Sequence, residues 1–268
     1  DGPTAVLDTG NVNEGALLTV DAANGVLAND TSGADGWTTA NAGVVGVVAT
    51  GDSPVLSNLD NVATLNTGIV GQYGTLTLQA NGSYTYKANA NVINGETTDL
   101  VDTFVYTVKD GDGDLTSTTL KITLADVTGV PANTTGQVFE AGLSAGANVP
   151  ADGTNASGDS EKIINGSLTF TGGFNNVAVQ SGTTALGIWS VAADGKYSYE
   201  LTSVTPDVAG PETDSFSYTA TDANGNSVVN TVTITIVDDV PTAVLDTGNV
   251  NEGALLTVDA ANGVLAND

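Results

Sequence analysis

The run Asp110-Gly111-Asp112-Gly113-Asp114 places three carboxylates on alternate residues with glycine between them. Such spacing turns the oxygens to one side of a tight turn, which is what a hard cation with about 6–8 oxygen ligands requires. The matching place later in the chain reads Asp222-Ala223-Asn224-Gly225-Asn226. Oxygen-only donors favour calcium over zinc or copper. Neither run is an EF-hand loop, because the bidentate Glu at the twelfth position is missing.

Composition points the same way. Five Lys face 31 Asp and Glu with no Arg and no His, a net charge of −26. Such a field repels nucleic acid and anionic membranes, whose recognition rests on Arg and Lys clusters, and attracts cations. Without Cys or His there is no disulfide framework, no thiolate metal site, no usual zinc ligand and no common general base. No stretch approaches the roughly 20 apolar residues of a membrane span, and Asp1 opens no signal sequence. A soluble fragment without membrane insertion is expected, with any export signal outside it.

The elements that must hold these carboxylates are strands. Hydrophobic residues make up 40% of the chain, enough to fill cores, and they alternate. Thr75–Leu78, Phe104–Val108, Leu120–Leu124 and Val232–Ile236 all show period two, the mark of strands with one buried face. Asn81-Gly82 and Asp194-Gly195 stand between such runs as hairpin turns. No segment reads as an amphipathic helix. The expected fold is all-β: tandem immunoglobulin-like, cadherin-like antiparallel β-sandwiches.

Two kinds of repetition divide the chain. Asp239–Asp268 repeats Asp1–Asp30 with Val240 in place of Gly2, so the chain reads as a piece of a tandem array of whole domains. Within one period, GTLTLQANGSYTY (Gly74–Tyr86) parallels GIWSVAADGKYSY (Gly187–Tyr199), and both halves close on an Asp followed closely by Val-Pro. The expected domains are residues 1–130 and 131–240, with 241–268 a partial copy of the first domain's opening strands.

In such a sandwich the loop before the last strand lies beside the point where the chain comes in. Asp110, Asp112 and Asp114 occupy it in the first domain, Asp222 and Asn224 in the second. The linkers add Asp126, Asp238 and Asp239. Near the opposite end are expected Glu14, about one strand length after the entry, and Asp102, in the loop before Phe104, with Glu140 and, beside Glu212, Asp214 as their counterparts. One junction could combine Glu14, Asp102, Asp126 and Asp222, and carboxylates converging there without a basic partner call for a bound cation. Asp30, Asp35, Asp152 and Asp159 are weaker candidates.

Asn13-Glu14-Gly15, Gly25–Asp30, GTLTLQANGSYTY, DTFVYTV and DGDGD resemble the cadherin-like and VCBS-type repeats of giant bacterial surface adhesins of the repeats-in-toxin class. The likeness covers most of the first half but only the last third of the second. It implies a calcium-stiffened extender, exported by type I secretion to the bacterial cell surface, monomeric, with neighbouring repeats of the same chain as its partners. A calcium-dependent glycan-binding domain is the alternative. For it, Trp37, after an Asp-Gly in an expected end loop, is the candidate ring, and Trp189 reads as core. An enzyme is not expected: paired carboxylates can hydrolyse glycosides, but such a site needs a cleft with aromatic platforms.

Overall fold

The computed structural model describes residues 1–39, 42–51, 55–93, 100–143, 160–205, 212–238 and 244–266. The chain divides into two compact units, one of Asp1–Gly129 with Asp222–Ser227, the other of Val130–Thr221 with Val228–Asp268. Both are built of strands, and among the described residues the only helical segments are short 3-10 turns.

The first unit is a two-sheet sandwich. One sheet runs β1 (Asp8–Asn13), β8 (Leu115–Ala125), β7 (Leu100–Lys109) and β3 (Val44–Ala49) in spatial order. The other runs β2 (Leu17–Val20), β6 (Tyr84–Ala88), β5 (Gly74–Leu78) and β4 (Ile69–Val70). The alternation read from sequence is the burial pattern: Leu76, Leu78, Tyr86, Phe104, Tyr106, Leu120, Ile122 and Leu124 are fully buried between the sheets. Each such side chain contributes about 1.5–3 kcal/mol by leaving water.

Pairing is antiparallel except at one edge of each domain. β1 runs parallel to β8, from Asp8 opposite Leu120 to Asn13 opposite Ala125. The sequence Asp8–Asn13, DTGNVN, offers only Val12 to the core, so this strand exists through its ladder with β8 and not through its own apolar face. The second domain repeats the design. Its sheets are β11 (Asn176–Val177), β15 (Glu212–Thr221), β16 (Ser227–Val237) and β9 (Asn133–Phe139), and β10 (Lys162–Ser167), β14 (Lys196–Leu201), β13 (Gly187–Val191) and β12 (Gln180–Thr183). There β9 runs parallel to β16. Tyr199, Leu201, Tyr218, Val232 and Ile234 fill its core.

The repeated segment separates local from long-range structure. Its turns survive in both copies: Ala16 N–H donates to Asn13 O and Ala254 N–H to Asn251 O, each at 3.0 Å, and Ala28 to Gly25 and Ala266 to Gly263, each at 2.9 Å. Its strands do not. Residues 246–251, identical to β1, form no strand. Val12 is 8% exposed but Val250 56%, and Val26 is 0% exposed but Val264 66%. With β6 and β8 beside it the segment is sandwich; without such partners it keeps only its turns.

The opening segment is also held by one tyrosine. Tyr106 Oη lies 2.7 Å from Asp8 Oδ2, 2.9 Å from Asp30 Oδ2, 3.1 Å from Val26 O and 3.3 Å from Val6 O. A phenol has one proton to give, so a second proton is needed before both carboxylates are served. Burial, aided by the Asp30 charge and opposed by the Tyr106 hydrogen bond, pushes Asp8 up to about 6, and burial pushes Asp30 up as well.

Two outcomes follow. The native state binds a proton at Asp8 that the unfolded chain releases near 3.8, the ordinary value for an aspartate, so this stabilisation is complete below that pH and is lost as pH rises through about 6. The melting-temperature difference between parent and Asp8→Asn should therefore shift in favour of the variant by several degrees from pH 4 to pH 7; a constant difference would contradict it. In amide exchange read by mass spectrometry, peptides from residues 6–28 and 244–266 have identical masses and should give bimodal envelopes, one population more protected than the other. A single protected envelope would show that the second copy is ordered as the first is.

Candidate metal centre

The turn between β7 and β8 is Asp110–Asp114, closed by Asp110 N–H donating to Asp114 O at 3.2 Å. Gly113 has φ +107, a left-handed conformation that a side chain would strain, which is why this place carries glycine. Asp110 is fully buried. Its Oδ1 accepts from Gly113 N–H at 3.0 Å and Asp114 N–H at 2.8 Å. Its Oδ2 is buried too, and no protein group donates to it.

A second loop comes to the same place. Gly111 N–H donates to Gly36 O at 2.9 Å, and Trp37 pairs with Asp110 as an isolated antiparallel bridge. A Cβ on Gly111 would stand 2.4 Å from Asp35 O, so glycine there permits the approach. Carboxylate oxygens of Asp35, Asp110 and Asp112 thereby lie within 4.8 Å of one another, the one such group of three among the described residues. The segment before β1 is adjacent: Thr4 and Thr31 exchange backbone hydrogen bonds at 2.9 and 3.0 Å, and a Cβ on Gly2 would lie 3.5 Å from Asp114 Oδ2.

Charge at this cluster is unbalanced. Asp112 is raised, first by hydrogen bonding with Asp110, then by burial, then by repulsion from Asp110, Asp35 and Asp114. Burial alone would raise Asp110 as well, but the hydrogen bonds from Asp112, Asp114 and Gly113 outweigh it, and Asp110 is lowered. The Oδ2 of Asp110 thus has two ways to be satisfied: a proton carried by Asp112, or a cation. An all-oxygen donor set with an orphaned buried acceptor fits calcium and does not fit zinc or copper.

The other carboxylates singled out from sequence stand elsewhere. Glu14 is buried, its Oε2 accepting from Val92 and Ile93 N–H at 3.0 and 3.1 Å and its Oε1 from Val127 N–H at 3.2 Å. Glu140, buried in a 3-10 turn, holds Thr205 the same way, accepting from its hydroxyl at 2.6 Å and from its N–H. Asp102 is not in the loop before Phe104 but inside β7, opposite Ile122. There it accepts from Gln72 N–H (2.9 Å), Tyr73 N–H (3.0 Å) and the Tyr86 hydroxyl (2.8 Å). Asp214 is its image in β15, bound to the Tyr199 hydroxyl at 2.6 Å and to Thr184. These four carboxylates already have donors.

Asp126 is exposed and accepts from Thr128 Oγ1 at 2.6 Å. Asp114 is exposed beside Gly2, and Asp238 is half-buried just beyond β16. Asp239, Asp152 and Asp159 lie outside the described residues, as does the boundary at Pro241. Asp222 and Asn224 form the turn before β16, where Asp222 Oδ1 accepts from Asn224 N–H at 2.8 Å and Asn226 N–H at 2.9 Å. The residue that sequence reading underweighted is Asp35. Its signal was faint, a single Asp-Gly pair far from Asp110 in sequence.

Neither tryptophan is fully exposed or fully buried. Trp37 packs on Gly43, where a Cβ would meet the ring at 2.5 Å, and it lines a shallow depression with Ala22, Ala23, Leu27 and Asn81. Trp189 stacks on Phe216 with ring centroids 4.5 Å apart.

Comparison with known proteins bears on the modules. Residues 1–126 match the bacterial cadherin-like domain and residues 130–235 the bacterial Ig domain. No curated protein matches. Among solved structures, Drosophila N-cadherin EC1-4 is similar at 11% identity and TM-score 0.34, over 88% of this chain and 49% of that one. Human desmocollin-1 ectodomain is similar at 14% identity and TM-score 0.28, over 88% and 42%. The chain thus spans about half the length of the first of these structures. Likenesses this distant bear on no detail of the site. Residues 1–126 are thus similar to the bacterial cadherin-like domain and residues 130–235 to the bacterial Ig domain, modules of extracellular structure and adhesion rather than of catalysis.

Proposed function

We propose that the chain is a calcium-stiffened spacer, an extender region of a bacterial surface adhesin of the repeats-in-toxin class. It holds terminal ligand-binding domains away from the cell, works as a monomer, and has neighbouring repeats of its own chain as partners. The observation that carries the reading is the buried, donorless Oδ2 of Asp110, a residue whose carboxylate lies within 4.8 Å of those of Asp35 and Asp112. Its location supports a role at a joint, because the cluster sits beside Asp1–Thr4, the segment that leads into the domain. In the repeat, Asp1 corresponds to Asp239, so an acidic linker precedes each such domain.

In the proposed mechanism Asp110, held by its own turn, presents a fixed oxygen, and Asp35 and Asp112 converge on it from two loops. Asp110, Asp35 and Asp112 would hold a calcium ion, whose charge would offset their repulsion and so tie the 31–37 loop to the β7–β8 turn. Binding to the native state alone stabilises it by about 2.7 kcal/mol at a hundredfold excess over the dissociation constant. Because calcium is scarce in the cytosol and abundant outside, the chain would stiffen only after export by type I secretion.

A second reading, glycan binding beside the cation, draws on the pairing of Trp37 with Asp110. Glycan-array binding that disappeared in Trp37→Ala would favour it over the spacer.

Calorimetric calcium titration of the full chain should show one ion fewer in Asp110→Asn, and the same loss in Asp35→Asn with Asp112→Asn, which leaves the buried hydrogen bonds of Asp110 intact. Equal stoichiometry in all three would refute the site. Since Asp112 is raised, protons compete with calcium for it at acidic pH. Affinity should therefore increase with pH across the acidic range, and proton release should vanish in the double variant. A pH-independent affinity would contradict the shared proton.

A further inference from the structure

The two last turns share one backbone and differ in side chains. Asp222 N–H donates to Asn226 O at 2.9 Å, as Asp110 does to Asp114 O, and Gly225 has φ +92 where Gly113 has +107. Asp222 Oδ1 accepts two backbone N–H groups, as Asp110 Oδ1 does. The contrast lies at Oδ2. On Asp110 it has no protein donor, whereas on Asp222 it accepts from the Asn226 carboxamide at 2.9 Å.

We propose that Asn226 is a built-in substitute for the cation, so that the Asp222 turn binds no calcium and keeps its shape when calcium is removed. The proposal rests on the calcium reading of the Asp110 turn. Three carboxylates there become one carboxylate and two amides here, Asp112 and Asp114 being matched by Asn224 and Asn226. An amide N–H gives the remaining acceptor what a cation gives its counterpart, without a net charge to balance.

The amide is also fixed in that orientation. Asn226 is 1% exposed, and its Nδ2 donates a second time to Glu14 O at 3.2 Å, while its Oδ1 accepts from Asn91 N–H at 3.4 Å, all within the first unit. Turning its oxygen toward Asp222 to complete a cation site would break all three contacts and set two oxygens face to face. Asn91 reinforces the arrangement by donating to Gly225 O at 3.0 Å and accepting from Ser227 N–H at 2.7 Å.

The chain thus carries one turn that responds to calcium and one whose compensating donor is a side chain of its own. Amide exchange of the parent in calcium and in chelator tests this directly. Peptides covering 110–114 should exchange at least tenfold faster in chelator, and those covering 222–226 at an unchanged rate. Equal acceleration of both would overturn the proposal and leave the calcium reading standing; no response in either would overturn the calcium reading itself. As a gain-of-function arm, Asn224→Asp with Asn226→Asp should bind one more calcium than the parent. A variant that stays folded and binds no additional ion would also count against the substitution mechanism.

Discussion

Compensation of buried carboxylate is the constraint on which this structure turns. A buried carboxylate costs several kcal/mol unless it is hydrogen-bonded, paired or protonated. With no Arg, no His and five Lys, the chain cannot pair its acids with bases. The ion pairs among the described residues, Lys109 with Asp60 and Lys162 with Glu161 and Glu200, are all solvent-accessible. Exposed pairs of this kind contribute little. The interior uses three other means. Glu14 and Glu140 take backbone N–H groups, so each becomes a staple between distant loops. Asp102 and Asp214 take tyrosine hydroxyls, which ties one sheet to the other across each core. Asp110 is left with an oxygen that only a proton or a cation can serve.

That ordering explains why residues of one type, in similar sequence settings, do different work. An acidic residue followed by glycine or flanking a strand looks the same in sequence whether its oxygens are filled by backbone, by phenol or by an ion. What separates them is the number of donors the fold brings to each oxygen. At Asp102 three donors converge from β6 and the Gln72–Tyr73 turn, and no room is left for a ligand. At Asp110 the backbone donors reach one oxygen only, and the carboxylates of Asp35 and Asp112 come within 4.8 Å of its own.

Much of the fold was legible because it is local or periodic. Alternation in Thr75–Leu78 and Leu120–Leu124 fixed which side chains face the core, and the Asp110–Asp114 turn was legible from glycine spacing. The parallel edge β1–β8 was not, since DTGNVN carries no periodic signal and becomes a strand only beside β8. The repeated segment shows this within one molecule: the hydrogen bond from Ala254 to Asn251 forms where Val250 and Val264 remain in water. Asp102 was misplaced into a loop for a related reason. A charge in a strand interior reads as a break unless the buried Tyr86 hydroxyl is known to face it. Asp35 depended on a loop–turn contact, Gly36 with Gly111, that no local pattern announces.

The central claim is that calcium makes this chain a spacer by compensating carboxylates the protein leaves uncompensated. Small-angle scattering of the full chain, in saturating calcium and again in chelator, addresses it most directly. The account predicts a narrow, rod-like distance distribution in calcium that broadens, with greater flexibility, in chelator. Identical distributions in the two conditions would contradict it.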